Sequence, residues 1–153
     1  MKAIDSNGTI KTFSRTPKSW NGKIGLQYAN DSELEALGFY NVNQPEITAS
    51  QEYGAIEWDS ENSQFNYPIV NKTYTETLAE LKEEKISALK SIYNSKLAKT
   101  DWYIIRSQEG AEVPQDVLDS RSALRTECAT KEAEINALNT KSAVVDYQLP
   151  NFN

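Results

Sequence analysis

The residues able to do chemistry in this chain are few, and their spacing narrows the options further. Among 153 residues there is no histidine and a single cysteine, Cys128. Without an imidazole the chain lacks the usual base of Ser-His-Asp and Cys-His catalysis and the commonest nitrogen ligand for metals. Cys128 falls on the apolar face of a predicted helix with no base beside it, which is the setting of a packed thiol rather than a nucleophile. The acidic run Asp59-Ser-Glu61-Asn-Ser63 has oxygen donors in the manner of a calcium loop. It lacks the sixth-position Gly, the twelfth-position bidentate Glu and the flanking helices, and it reads as a hairpin turn. Gly22-Lys-Ile-Gly25 fits neither a phosphate loop nor a dinucleotide fingerprint. The carboxylate pairs Glu83-Glu84 and Glu132/Glu134 fall on solvated helix faces. The expectation is a protein that is not an enzyme and uses no metal or other cofactor.

Composition sets the class. Charged residues are 25% and apolar residues 39%, the balance of a globular chain. The net charge of −6 is evenly spread: residues 1–75 carry six Lys/Arg against nine Asp/Glu, and residues 76–153 carry ten against thirteen. Such a chain repels nucleic acid and anionic membrane surfaces, so neither is expected as a partner. The opening MKAIDSNGTIK has no apolar run of signal-peptide length, no later run approaches a membrane span, and one cysteine forms no internal disulfide. A reducing cytoplasm is the expected compartment.

The two halves are punctuated differently. Five of the six glycines lie at or before Gly54, whereas Ile69–Glu109 and Gln115–Leu149 contain neither Gly nor Pro. This pattern predicts an α+β fold: a small antiparallel β-rich domain over residues 1–74, a long helical hairpin over 75–146 with its elbow at 100–114, and a tail at 147–153. In the first part, Ser6-Asn7-Gly8 predicts a tight hairpin turn between KAID and TIKTF. A second hairpin is expected where Ile56 and Trp58 face Phe65 and Tyr67. Between them, NDSELEALG reads as a short helix capped by Asp31 or Ser32, with Leu34 and Leu37 inward and Gly38 closing it. The following FYNVNQPEI reads as a strand ended by Pro45.

In the second part, Thr75 or Thr77 caps a helix running to about Lys99. Its apolar stripe is Leu78, Leu81, Ile86, Leu89, Ile92, Tyr93 and Leu97. Pro114 opens the next helix at its first turn. There Val117, Leu124, Cys128, Ile135 and Leu138 alternate by four and three once Arg121 and Lys131 are included, a coiled-coil-like seam open to a partner helix or a second copy. The block TDWYIIR between the helices reads as an elbow, with Trp102 and Tyr103 over the open end and Ile104 and Ile105 between the helices.

Binding is then the business of surface residues. Residues 1–74 hold more aromatic side chains than one core face needs, and an exposed remainder suits protein contact, since Tyr and Trp offer rigid area at low entropy cost. Trp20, Tyr28, Tyr40 and Trp58 are the candidates there. Around the elbow the candidates are Trp102, Tyr103, Arg106, Arg121 and Arg125, although the two rings also read as residues that hold the hairpin and the three arginines as ordinary salt-bridge partners on it.

The residues Leu97-Ala98-Lys99-Thr100-Asp101-Trp102-Tyr103-Ile104-Ile105-Arg106, then Gly110, Val113-Pro114 and Ser120-Arg121-Ser122-Ala123-Leu124-Arg125, carry a resemblance. Together they resemble the C-terminal signature of tailed-phage tail fibre assembly proteins and related tail assembly chaperones. In that family a helix ends in Leu-Leu-x-x-Thr-Asp-Trp, a short loop with Pro follows, and the next helix carries Tyr-Arg-x-Ala-Leu-Arg. Here Ser120 stands where the family usually has Tyr, and the predicted helix runs on past Arg125 where the family's chain commonly stops. The match covers about residues 85–126. The first half looks only generally like the family's variable, partner-facing domains. The resemblance implies a non-enzymatic chaperone that binds a phage tail fibre, or another tail protein, and assists its folding and trimerisation in the host cell cytoplasm. The alternative is a structural component that stays in the virion tail, baseplate or fibre.

Overall fold

The computed structural model describes residues 1–152; Asn153, the last residue of the expected tail, lies outside the described residues. The fold is α+β, in two compact units that divide between Lys72 and Thr73.

In the first unit, strands β1 (Lys2–Ser6) and β2 (Thr9–Phe13) form the expected hairpin. Asn7 and Gly8 both take positive φ, 56° and 79°, which a two-residue turn of this hand requires. The Asp5 carboxylate accepts the Gly8 N–H at 2.8 Å and fastens the turn. Short strands β3 (Ser19–Trp20) and β4 (Lys23–Ile24) pair separately, and a 3₁₀ turn spans Leu26–Tyr28. Helix α1 (Asp31–Glu35) is capped by Asn30, one residue before the expected caps Asp31 and Ser32. Asn30 and Glu33 exchange side-chain to backbone bonds at 2.9 and 2.8 Å, a complete capping box. Gly38, at φ 85°, turns the chain into β5 (Tyr40–Asn43).

Strands β7 (Glu57–Asp59) and β8 (Gln64–Asn66) form the second hairpin, with Trp58 opposite Phe65. The main sheet has the order β2-β1-β5-β8-β7, and β5 and β8 run parallel. It is therefore mixed rather than antiparallel throughout. Strands β6 (Gln51–Tyr53) and β9 (Ile69–Asn71) pair apart from it. One face of the main sheet carries Ile4, which packs with Leu26, Leu34 and Phe39 under Phe13, Trp20 and Leu37.

The second unit is more than a hairpin. Helix α2 (Leu78–Ala98) begins at the Thr77–Glu80 capping box, and only Leu81, Leu89 and Tyr93 of its apolar stripe are fully buried. A separate short helix, α3 (Asp101–Ser107), follows, and α4 (Gln115–Ala137) runs back antiparallel to α2. Pro114 sits at the cap of α4, not inside its first turn. After Leu138 leaves the helix, α5 (Lys141–Asp146) packs on α2. The expected tail is part of the core. Tyr147, Leu149 and Phe152 lie against the buried Leu89–Tyr93–Ile135 cluster, together with Ile86, Leu124 and Cys128. Burial raises the Cys128 thiol above its usual value.

The seam of α4 packs on α2 through Leu124, Cys128 and Ile135, and Arg121, near the start of the helix, is buried at 6% exposure. Its Nη1 donates to the Leu97 carbonyl at 2.8 Å and to Thr100 Oγ1 at 2.7 Å, while Nη2 donates to the Asp101 carboxylate at 2.8 Å. The elbow differs from expectation accordingly. No residue of α3 is buried, and Ile105 is 62% exposed instead of filling between helices, while the buried Arg121 side chain reaches Leu97, Thr100 and Asp101 at the end of α2 and the start of α3.

Replacing a buried hydrogen-bonded charge strands its partners, at about 2–3 kcal/mol. Arg121→Ala should lower the thermal midpoint of the second unit by roughly 10 °C or more, and Arg121→Lys should not restore it, since an ammonium cannot span three separated acceptors. Asp101→Ala should cost about 1–3 kcal/mol, because it leaves Nη2 of the buried guanidinium without its carboxylate although Asp101 itself is half exposed. Differential scanning calorimetry measures all three.

A pH dependence follows from two phenols. Burial first, and then the Glu127 carboxylate, raise the Tyr93 hydroxyl to about 12. Burial and the hydrogen bond to Glu134 raise Tyr147 to about 12. Unfolded tyrosine ionises near 10, so the folded state holds these protons longer. Stability is complete below pH 10 and falls as pH climbs toward 12. Midpoints measured across that window should fall steeply, and less steeply in Tyr147→Phe.

Candidate partner-binding site

Within the first unit, α1 lies against the Ile4 face of the main sheet through Leu34, and the opposite face carries a cluster of rings. Because directly opposed residues share a face, the pairings Ala3↔Tyr40, Asp5↔Ile10, Val42↔Phe65 and Trp58↔Phe65 place all these side chains together. Their rings touch. Tyr40 and Trp58 meet edge to face with centroids 4.6 Å apart, Trp58 and Phe65 at 5.1 Å, and Tyr40 and Phe65 at 6.4 Å. Phe65 and Ala3 are buried beneath, whereas Trp58 keeps 44% of its surface exposed. A cavity of about 350 Å³ opens beside the rings, lined by Asp5, Ile10, Gly38, Tyr40, Trp58 and Phe65. The outer strands β2 and β7 bound this face. Rings locked edge to face lose little freedom on binding, and one carboxylate at the rim gives the apolar surface a polar end.

The other sequence candidates scatter. Trp20 is partly buried against the core: it packs edge to face on Phe13 and Phe39, 5.7 and 5.8 Å away, with the Lys11 ammonium over its ring. Tyr28 is 87% exposed and sits outside the ring cluster. At the elbow, Trp102 and Tyr103 stack at 3.7 Å, and the Arg106 guanidinium lies 5.6 Å from the Trp102 ring centroid. Trp102 is half exposed and forms an outer patch rather than a cover for the helices. Arg121 serves the hairpin. Arg125 is exposed and lines a cavity of about 320 Å³ between α2 and α4, with Lys90 and Glu132 paired at 2.9 Å beside it. Strand alternation sets Phe65 beside Trp58 and Asp5 beside Ile10 within each hairpin, and the β1–β5 and β5–β8 pairings, which no local pattern encodes, join them to Tyr40 on one face.

The Asp59–Ser63 loop is a turn built on Asp59, whose carboxylate accepts from Glu61 N, Asn62 N and Asn62 Nδ2. The Asn62 side-chain bond, then its backbone bond, holds the Asp59 carboxyl below its usual range. Among the described residues no group of three or more His, Cys, Asp or Glu side chains is placed to hold a metal ion, and no helix is long and apolar enough to cross a membrane. The chain matches no protein-family model, no curated protein and no solved structure.

The three tryptophans provide a direct check on this geometry. Acrylamide should quench Trp58 and Trp102 readily and Trp20 poorly. In the Trp58→Phe/Trp102→Phe variant the remaining emission should be blue-shifted and less quenchable than that of the intact chain, as befits a ring partly buried against Phe13 and Phe39.

Proposed function

We propose that this chain is a non-enzymatic assembly chaperone for a phage tail fibre, and that it holds its client through the aromatic sheet face of Tyr40, Trp58 and Phe65. The observation that carries this reading is the preorganised ring cluster, with Trp58 exposed, beside an open cavity on the sheet face opposite α1. The resemblance of the 97–125 block supplies the choice of client. Long fibres are β-rich trimers whose strand edges and apolar faces are exposed until the three chains register. A soluble partner with rigid aromatic area and two outer strands masks such surfaces, and its acidic charge resists non-specific clustering. Binding weaker than the final trimer contacts lets the partner leave without nucleotide.

The second reading is a structural component of the virion tail. Its sequence basis was the four-three seam of α4, and that seam is filled by α2. Co-expression with the tail fibre chain of the same genome separates the two readings. For the chaperone, soluble trimeric fibre should require this protein yet elute free of it. A stable complex of fixed stoichiometry would favour the virion component. Trp58→Ala should weaken client binding about tenfold, the usual loss for a central aromatic anchor, with the fold intact by circular dichroism. Fibre solubility indifferent to this protein would end both readings.

A further inference from the structure

The segment Tyr147–Phe152 contains no helix or strand, yet it is held along α2 at both ends. Lys85 Nζ donates to the carbonyls of Val145 and Tyr147 at 3.0 and 3.3 Å, and Lys96 Nζ donates to that of Phe152 at 2.9 Å. The two lysines lie about 16 Å apart along the helix at 1.5 Å per residue. Roughly five extended residues cover the same length, so the segment runs beside α2 with an ammonium at each end. Between these anchors Tyr147, Leu149 and Phe152 pack on the helical core. The edge of Phe152 meets Tyr93 with centroids 5.3 Å apart, and Lys96 lies 4.7 Å from the Phe152 centroid.

This occupant underuses the groove in two ways. Cavities of about 290 and 460 Å³ remain beside it, the first lined by Leu81, Ala88 and Leu149 among others, the second by Ile92, Lys99 and Phe152 among others. The lysines are also mismatched. Lys85 and Lys96 direct full positive charges at neutral carbonyls, and among the described residues neither forms an ion pair. Lys99 adds a third ammonium to these linings, where Glu84 is the one carboxylate side chain, in a chain of net charge −6.

We propose that the groove along α2 docks an extended acidic, aromatic peptide segment of a partner protein, and that Tyr147–Phe152 is its intramolecular stand-in. An ammonium–carbonyl bond is already charge-assisted through its donor, and a carboxylate adds to it the attraction between two full charges. A peptide with carboxylates near the two lysines and apolar side chains between them therefore outcompetes the segment. The tethered segment competes at an effective concentration on the order of millimolar, which excludes weak ligands and makes the site selective. A second copy of this chain is the poorer occupant, since its own 147–152 stretch carries no acidic side chain.

Fluorescence anisotropy tests this with two labelled, capped hexapeptides: Tyr-Glu-Leu-Pro-Asp-Phe and its neutral counterpart Tyr-Gln-Leu-Pro-Asn-Phe. The Phe152→Ala chain should bind the acidic peptide about tenfold more tightly than the intact chain does, because its own segment competes less. The neutral peptide should bind at least about tenfold more weakly than the acidic one. Lys85→Met/Lys96→Met should abolish that preference, and raising salt should reduce it. If Phe152→Ala fails to fold, titrating the intact chain to higher peptide concentrations makes the same comparison. Absence of binding, equal affinity for both peptides, or a Phe152-dependent dimer on sizing would each overturn the proposal.

Discussion

The guanidinium of Arg121 is the constraint on which the helical unit depends. It is buried, permanently charged, and provided with three acceptors from the end of α2 and the start of α3. A buried cation costs several kcal/mol unless such acceptors are present, so the end of α2, the turn and the first third of α4 stand or fall together. The geometry also suits the helix dipole, since the cation sits at the carbonyl end of α2. Thr100 closes the arrangement by donating its hydroxyl to the Leu97 carbonyl while accepting from Arg121. With the register fixed there, Lys90 reaches Glu132 and Lys82 reaches the Asn136 carbonyl further along. The Thr100-Asp101 pair and Arg121 belong to separate pieces of the block that carries the family resemblance. In the fold they form one physical unit, a helix-end lock, whose chemistry concerns the scaffold rather than any partner.

The rest of the helical unit follows from a shortage of apolar cover. Arg121 takes a seam position that an aliphatic residue would fill, and α2 buries only Leu81, Leu89 and Tyr93 completely. A pair of helices so sparsely packed leaves apolar surface exposed, and small units tolerate little of that. Helix α5 and the stretch from Tyr147 to Phe152 supply the missing layer, adding Val144, Leu149 and two rings. Lysines on α2 then satisfy backbone carbonyls of a stretch that has no ladder of its own to do so.

Local chemistry was legible in the sequence, and long-range pairing was not. Asn7-Gly8 announced its turn, Thr77 its helix start, and the three-and-four spacing of Leu89 and Tyr93 the buried stripe. Asn30 was missed among three consecutive residues able to cap, although Glu33, three positions after it, completes the box. The parallel pairing of β5 with β8 joins strands more than twenty residues apart, and no local pattern encodes it. Arg121 looked like an impurity in a coiled-coil seam because charge at such a position has no meaning until its acceptors are placed. Tyr147–Phe152 read as a tail because Gln148, Pro150 and Asn151 dilute its three apolar anchors. Of the site candidates, Tyr40 and Trp58 come together through strand alternation and register. Trp20 lies in a two-residue strand, and so short a strand carries no period from which to read its face.

The two candidate surfaces differ in what binding must overcome. On the sheet face the rings already touch, and Phe65 fixes them from below, so a partner meets a surface that loses almost no freedom. On α2 the groove is covered by the chain itself, and a partner gains only the difference between its own contacts and those it displaces. The first surface therefore binds by area and is permissive toward clients that offer apolar strands. The second, as proposed, binds by difference and discriminates by charge, since acidity is what its present occupant lacks. A chaperone acting on the proposed client has use for both kinds: permissive contact to hold incompletely paired β structure, and a competitive contact that ends when the chain's own segment returns to its place.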